Sequence, residues 1–448
     1  MSFPRYAKYK DSGDVWLGAV PVNWKLVPLK HLATFRGGGT PSKANLQYWD
    51  GNVPWASSKD LKRGAIDDTV DHISQMAVDD GAELVEPGTL LIVVRGMILA
   101  HTFPVTKALV TMAINQDLKG VTPKKGLDCD FLANLLRAAA PETFRRLDEA
   151  GHGTKALRME AWTAMVLPLP SLDEQTVIVA FLDRETAKID ALVAEQRRLM
   201  DLLKEKRQAV ISHAVTKGLN PDIAMKDSGV EWLGDVPAHW TVMPVKYVVK
   251  LRSGATPSKA NLAYWNGNIP WASSKDLKSE SLADTGDHIT EQALVDGAAE
   301  LVPAGSLLIV VRGMILAHTF PVTVAAVPMA INQDLKALTP RDRLDSGFLA
   351  WVMRGASRES IRLTDEAGHG TKVLRMNTWA AMSLPIPPII EQRAIVLSVI
   401  GSMAEFDALT TEAHRAIDLL QERRTALISA AVTGQIDVRH LATVAEAA

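Results

Sequence analysis

The sequence predicts an α+β chain in which two similar globular domains are joined by two long helices. The helices are expected to pair as an antiparallel coiled coil, giving the chain pseudo-two-fold symmetry. Three observations carry that prediction. First, residues 11–217 recur almost position for position at 227–434. Asp11-Ser12-Gly13 and Trp16-Leu17-Gly18 return as Asp227-Ser228-Gly229 and Trp232-Leu233-Gly234, an offset of 227 − 11 = 216. Leu90–Thr106 returns unchanged at Leu307–Thr323, an offset of 307 − 90 = 217, and one inserted residue near Ala304 accounts for the change. Such a period is far too long for one solenoid unit. Second, each copy opens with short β-rich runs broken by glycine and proline. Third, each copy closes on a long run of helical pattern. The expected boundaries are a first domain at 1–170, a long helix at 171–218, a second domain at 219–387, a second long helix at 388–435 and a tail at 436–448.

The β-rich parts read as follows. Leu90–Val94 and Leu307–Val311 are apolar runs of β-branched residues followed by Arg-Gly. By length and flanks each is a buried strand ending at a turn. Gly37-Gly38-Gly39-Thr40-Pro41, Asn52-Val53-Pro54-Trp55 and Glu86-Pro87-Gly88 mark frequent turns between short strands, as in a compact α+β domain. A helical stretch is expected at Phe131–Arg146.

The character then changes. Leu167-Pro168-Leu169-Pro170 cannot continue a helix. Ser171-Leu172-Asp173-Glu174 is a capping box, with the serine hydroxyl at N-cap and the glutamate at N3. No glycine or proline follows until Gly218, which supplies the stop. A heptad seam is expected from Ile178, Glu185, Leu192, Leu199 and Lys206 paired with Leu182, Ile189, Gln196, Leu203 and Val210. The second copy runs from about Ile389 to Thr433, with Ile395, Val399, Phe406, Leu409, Leu420 and Leu427 on its stripe. A helix of about 45 residues is roughly 67 Å long. One apolar stripe needs a partner, and the equivalent helix one module away supplies it; the alternative is a helix folded back on its own domain.

At 448 residues, with 47% apolar and 22% charged side chains, this is the composition of an ordinary globular protein. Cys129 is the only cysteine, so no disulfide framework or cysteine zinc site is built, and its counterpart is Ser346. The polar start Met1–Asp11 is no signal peptide. The apolar stretch Leu90–Val105 is interrupted by Arg95 and His101 and is too short to span a bilayer. A cytoplasmic protein without membrane contact is expected. The net charge of −2 argues against nonspecific coating of DNA, while leaving room for a reader whose positive groups share one face.

Asp227-Ser228-Gly229-Val230-Glu231-Trp232-Leu233-Gly234…Pro237…Trp240 resembles the opening of a specificity (S) subunit of Type I restriction–modification systems. So do Gly254…Thr256-Pro257-Ser258, Ile269-Pro270-Trp271…Asp276-Leu277 and Ala330-Ile331-Asn332-Gln333. Leu384-Pro385-Ile386-Pro387…Glu391-Gln392 and the closing Ile428-Ser429…Val432-Thr433-Gly434 fit the same pattern. The first module carries the same elements, so the resemblance covers nearly the whole chain. It implies two target recognition domains, each reading half of a split site in double-stranded DNA. It implies helices that act as spacer and as docking surface for two methyltransferase (M) subunits, joined by restriction/motor (R) subunits. The S subunit itself would be non-catalytic and hold no cofactor. S-adenosylmethionine would belong to the methyltransferase partner, and ATP and Mg to the restriction partner. In agreement, the sequence holds no Asn-Pro-Pro-Tyr/Phe or Asp-Pro-Pro-Tyr motif and no Gly-x-x-x-x-Gly-Lys-Ser/Thr loop. The resemblance fails at one point. The family's two recognition domains typically differ, and here they are nearly alike. Two like readers related by a two-fold axis read the same short sequence on opposite strands, so an interrupted palindrome is expected. Its half-sites should lie about 10 bp apart, centre to centre, by analogy with two-fold dimers.

Several residues are candidate DNA contacts. Gly151-His152-Gly153-Thr154-Lys155 repeats as Gly368-His369-Gly370-Thr371-Lys372. Glycine backbones can approach a phosphate, while threonine and lysine add a hydroxyl and a charge. Gly153, Thr154, Lys155, Gly370, Thr371 and Lys372 are therefore candidates; a glycine turn with a solvated lysine is the competing reading. The motif is similar to the Gly-Ser/Thr loop preceding the last strand of the family's recognition domains. Arg95 and Arg312 could fork onto guanine O6 and N7, or brace a loop against a carboxylate. His101 and His318 are candidates in identical loops, although lone histidines among apolar neighbours more often lie in the core. Lys43, Lys259, Lys59 and Lys275 are candidate phosphate contacts, with solvated lysine as the alternative. Trp55 and Trp271 read as packing residues. Lys62-Arg63 against Lys278-Ser279, and Lys124-Lys125 against Arg341-Asp342, vary too much to read a shared half-site.

Two other classes remain open. One is a pseudo-dimeric hydrolase using His72/His288, His101/His318 and His152/His369 with nearby aspartates, although no metal-type spacing is present. The other is a coiled-coil adaptor without DNA specificity.

Overall fold

The computed structural model describes residues 3–151 and 153–441. The chain forms two compact units, one comprising 1–196 with 415–448 and the other 197–414. Each unit therefore takes one β-rich domain, half of the helix Leu172–Lys217 and half of the helix Ile389–Val432.

In the first unit a five-stranded sheet has the order Ala33–Gly37, Leu118–Pro123, Leu90–Val93, Val105–Ala108, Ala65–Ile66. Leu90–Val93 is the fully buried strand expected at this place, antiparallel to both neighbours, with Leu118 opposite Val93 and Val105 opposite Ile92. Its all-apolar composition follows from burial on both faces. A four-stranded sheet follows the order Asp71–Ile73, Val53–Ala56, Met112–Ile114, Leu84–Val85. A three-stranded sheet has Lys155–Leu157 between Arg95–Gly96 and Leu147–Glu149. The second unit repeats all three orders, so the duplication seen in sequence is a duplication of fold. Val166–Leu169, which takes in most of the Leu-Pro-Leu-Pro run, is a strand on Lys25–Pro28 that delivers the chain to the long helix.

Three local expectations gain detail or correction. The helical stretch Phe131–Arg146 consists of two helices, Cys129–Ala138 and Ala140–Phe144. Pro141 lacks an N–H and clashes with the preceding turn. The second copy breaks at the same place without a proline, between Ser346–Gly355 and Ser357–Arg362, so packing of the buried Ala139 and Ala356 also enforces the bend. The extra residue of the second module lies earlier than Ala304: Val302 pairs with Met329 as Val85 pairs with Met112, so the change of offset is complete by Leu301. Ala298 and Ala299 both direct their N–H to Ala293 O, and this helix-terminal turn absorbs the insertion. Thirdly, the capping box is half formed. Glu174 N–H donates to Ser171 Oγ at 3.3 Å, but the Glu174 carboxylate accepts from the Tyr6 hydroxyl at 2.8 Å rather than returning to the N-cap.

The central helix runs from Leu172 to Lys217 and stops where Gly218 takes φ +78°. In the first unit its early residues Ile178, Leu182, Ile189 and Val193 share a core with Leu427, Ile428, Ala431 and Val432 from the end of the second helix. In the second unit its late residues Ile211, Ala214 and Val215 share a core with Ile395, Val399 and Met403 from that helix's start. Starts meet ends, so the pairing within each unit is antiparallel. Asp190–Arg424 at 3.0 Å and Arg207–Asp407 lace the two pairings.

The seam itself differs from the heptad reading. Leu182, Ile189, Leu203 and Val210 are inward or half-buried, but Leu192 and Leu199 are 51% and 42% exposed. The line beside them falls one residue later, at Thr186, Val193, Met200, Arg207 and Ala214. Leu409 of the second helix is likewise 52% exposed. Choosing the leucines maximised hydrophobicity, whereas the pairing accepts Gln196 and Arg207 on its inner face. One 18-residue window within Ile389–Val432 is long and apolar enough, by length and composition only, to cross a membrane.

Candidate nucleic-acid interface

Past the buried strand the backbone turns sharply, with Val94 and Arg95 N–H both directed to Asp117 O. Arg95-Gly96 then leaves the main sheet and pairs with Lys155–Leu157, Arg95 opposite Ala156 and Gly96 opposite Lys155. Lys155–Leu157 is one arm of a hairpin whose other arm is Leu147–Glu149. Its tip is the Gly-His-Gly-Thr segment. Ala150 N–H donates to Thr154 O at 2.8 Å and Thr154 N–H to Gly151 O at 2.9 Å. Gly151 and Gly153 take φ +87° and +74°, which explains two glycines in four residues. His152 lies outside the described residues. His369, its counterpart, sits at φ +49°, a conformation uncommon for non-glycine residues.

Two segments more than fifty residues apart in sequence are thus brought into one three-stranded ribbon: Arg95 with the turn Met97–Ala100 and His101, and Gly153, Thr154 and Lys155. The second unit builds the same ribbon from Arg312, His318, Gly370, Thr371 and Lys372. His101 and His318 are exposed, not core; Leu99, Phe103, Leu316 and Phe320 are the buried members of those loops.

The ribbon's charges are partly answered internally. Lys155 Nζ donates to Glu149 at 2.7 Å and Lys372 to Glu366 at 2.8 Å. These bonds hold both carboxyls below the usual glutamate range. Arg95 has a looser partner: its Nε is 3.6 Å from Asp117 Oδ1, and its side chain is 64% exposed. That oxygen is buried and makes no hydrogen bond. Arg95 is therefore steered by a carboxylate while its fork faces solvent. Arg312 is exposed in the same place.

Lys43 and Lys59 belong to other loops. The Lys43 loop is pinned from below. A side chain on Gly38 would meet Ile114 O at 2.1 Å, Thr40 bonds Gln116, and Trp55 Nε1 donates to Gly39 O at 3.0 Å. Gly254, Thr256–Gln333 and Trp271 Nε1 to Ala255 O repeat the arrangement. Trp55 and Trp271 are the packing residues expected, and they leave Lys43 and Lys259 exposed. Lys59 and Lys275 are ion-paired to Asp71 and Asp287 at 2.6 and 2.7 Å, and the Asp287 hydrogen bond raises the Lys275 pKa.

Sequence reasoning missed Glu149, Glu366, Asp71 and Asp287, which occupy these lysines. The signal was present for the first two: glutamate and lysine flank Ala-Gly-His-Gly-Thr symmetrically, so a hairpin closed at that loop sets them opposite one another. Cys129, half-buried, donates to Gly88 O, and burial pushes its thiol up to about 11. Among the described residues no His/Cys/Asp/Glu group is arranged to hold a metal ion. His72 and His288, in the strands Asp71–Ile73 and Asp287–Ile289, instead pair with Asp68 and Asp284 at 2.7 Å.

The arrangement has relatives. The family model of the Type I restriction modification DNA specificity domain matches residues 21–198 and 237–413. The chain is 30% identical over 246 residues to the Type I restriction enzyme EcoR124I/EcoR124II specificity subunit of Escherichia coli, a match spanning 54% of either chain, about half of that relative. It is 23% identical over 302 residues to the MjaIX specificity subunit of Methanocaldococcus jannaschii, covering 65% of this chain and 67% of that one. A solved chain described under "Structural basis underlying complex assembly and conformational transition of the type I R-M system" superposes with a TM-score of 0.68 at 16% identity, covering 92% of this chain and 98% of that one. The HsdS subunit from Thermoanaerobacter tengcongensis gives 0.51 at 16% identity, covering 93% and 98%. At such identities the structural likeness speaks for the fold.

Proposed function

The chain belongs to the Type I restriction–modification DNA specificity family, and we propose that it reads the two halves of a bipartite site in double-stranded DNA for a methyltransferase and a restriction subunit. The observation that carries this reading is the paired ribbon. Two units present the same exposed arginine, histidine and glycine-tipped hairpin on the same strand scaffold. Phosphate contacts position a protein and base contacts specify. The backbone of the hairpin tip and Lys43/Lys259 suit the first task, Arg95 and Arg312 the second.

Since the two ribbons carry the same candidate contacts and differ in their strands only at Leu147/Thr364 and Ala156/Val373, the proposed site is an interrupted palindrome. Chemistry is left to partners: S-adenosylmethionine serves the methyltransferase, which flips its adenine out of the duplex, and ATP and Mg serve the restriction subunit. The exposed leucines of the helices suit the docking of two methyltransferase subunits. The first unit exposes Leu192 and Leu419, and the second exposes Leu409 and Leu202, at 51–55%. These are the same two positions of the repeat, since 192 + 217 = 409 and 202 + 217 = 419. Each unit thus exposes leucine at both equivalent positions, which suits two identical partners, and the second unit also exposes Leu199 and Leu397.

The test is the N6-methyladenine map of a methylation-deficient host expressing this chain with its methyltransferase. An interrupted palindrome is expected. Absence of any modified motif, with the partner bound and active, would overturn the reading.

A further inference from the structure

Exposed apolar side chains in the β-rich domains usually differ between the two modules. Val15, 94% exposed, is matched by Glu231; Val70, 72% exposed, by Gly286; Val295, 80% exposed, by Asp79. Two positions carry the same large apolar residue exposed in both modules among the described residues of those domains. Leu46 and Leu262 are both exposed, and so are Met97 and Met314, at 66% and 68%. The methionines lead the turns Met97–Ala100 and Met314–Ala317, directly after Arg95-Gly96 and Arg312-Gly313 on the ribbon.

Their exposure is built in. Gly96 and Gly313 adopt φ +153° and +155° with ψ 162°, a region open essentially to glycine alone. This link reverses the chain so that Leu99 and Leu316 turn into the core while Met97 and Met314 turn out. An unbranched apolar side chain held in water beside an arginine fork gains nothing for the fold. The major groove displays hydrogen-bonding groups and one apolar group, the thymine C5-methyl.

We propose that Met97 and Met314 are specificity-determining residues that pack against a thymine methyl next to the base read by Arg95 and Arg312. The proposal rests on the DNA-reading function above. It makes thymine an obligatory member of each half-site and assigns its recognition to shape rather than hydrogen bonding. Thioether flexibility suits the contact, since the side chain can follow the methyl without moving the backbone.

The experiment uses the complex with its methyltransferase and a duplex carrying the mapped site, at fixed salt. Each half-site thymine is replaced in turn by deoxyuridine, which removes the methyl and leaves base pairing intact. One such replacement should weaken native binding about 4-fold per half-site and roughly 15-fold when made in both halves, the worth of one buried methyl each. Met97→Gln with Met314→Gln should lose the same factor on the native duplex and become indifferent to that replacement. Met97→Leu with Met314→Leu should restore the sensitivity. A native complex indifferent to every replacement, a half-site without thymine, or a glutamine variant as sensitive as the native one would each overturn the proposal. Loss of preference for the mapped site over random DNA in the native complex would instead overturn the function on which it rests.

Discussion

Glu149 decides what Lys155 can do. A lysine held by a cross-strand carboxylate offers DNA no net charge, and the same holds for Lys372 with Glu366. Replacing both glutamates by glutamine should release two ammonium groups toward phosphate. Nonspecific affinity should rise, and the log–log salt dependence should steepen by up to about two, since each phosphate neutralised adds about 0.9. An unchanged slope would mean that neither lysine reaches the backbone. A second residue-scale prediction concerns Tyr6. Burial first, and then its hydrogen bond to Glu174, raises its phenol far above the ordinary range, and the Arg439 guanidinium lies 4.8 Å from its ring. The folded state favours the neutral phenol, so this contribution is complete below the unfolded value of about 10 and is lost as pH rises above it. Denaturant unfolding should therefore show stability falling above about pH 10, with Tyr6→Phe removing that fall; parallel curves would contradict it. The partners on which both predictions turn were only partly legible. The Glu149–Lys155 pair follows from hairpin register, but Tyr6 meets Glu174 and Arg439 across 168 and 433 residues, and no local pattern announces that.

At the scale of elements, each long helix is tied to its domain by one buried glutamine in its first turn. Gln175 donates to Gly126 O and Pro170 O, both at 3.1 Å, and accepts from Asp128 N–H at 2.7 Å. Gln392 makes the same three bonds with Arg343, Pro387 and Asp345. Asp128 and Asp345 in turn cap the short helices that follow them, so strand exit, long helix and short helix are fixed through one side chain. Gln175→Leu would leave buried backbone groups without partners. It should cost about 3 kcal/mol, read as a lowered denaturation midpoint with little change of slope; a loss below about 0.5 kcal/mol, the low end for one net hydrogen bond, would show that water replaces the amide. The sequence marked both helices, their ends and the buried strand Leu90–Val93, because glycine, proline and β-branched runs act locally. It misplaced half the seam because hydrophobicity does not distinguish a leucine facing its partner helix from Leu192 or Leu199 left outside. Of the exposed Leu192/Leu419 and Leu409/Leu202 positions, Leu192 and Leu409 were placed on the seam and lie outside it. Leu192→Asp with Leu419→Asp should release one methyltransferase subunit, and Leu409→Asp with Leu202→Asp the other, read as stoichiometry by native mass spectrometry. Retention of both subunits in either variant would place the docking surface elsewhere.

At the scale of the whole molecule, duplication within one chain makes a prediction that a true homodimer cannot test. Each copy can be altered alone. Arg312→Ala leaves Arg95 and the first ribbon untouched, and the exposed Arg312 supports no core. If each ribbon reads one half-site, this single change should relax one half of the palindrome by about 1–3 kcal/mol at the guanine position and leave the other half strict. In a methylome this appears as one strict half-site paired with a degenerate partner. Arg95→Ala should give the same motif read on the opposite strand, because the two ribbons carry the same candidate contacts. The double variant should relax both halves together. Relaxation confined to the spacer, or of both halves by a single change, would mean that the two ribbons do not read separately. The same logic governs the spacer. Asp190–Arg424 pairs the helices within one unit and Arg207–Asp407 within the other, and the residue numbers of each pair sum to 614. Only matched insertions can preserve both contacts: one heptad after Gln196 and one after His414, where the two units divide. About seven residues add roughly 10 Å of helix, the rise of about three base pairs at 3.4 Å each. If the helices measure the gap between half-sites, the methylated motif should keep both halves and lengthen its spacer. An identical motif from the lengthened chain would assign the spacing to the methyltransferases instead.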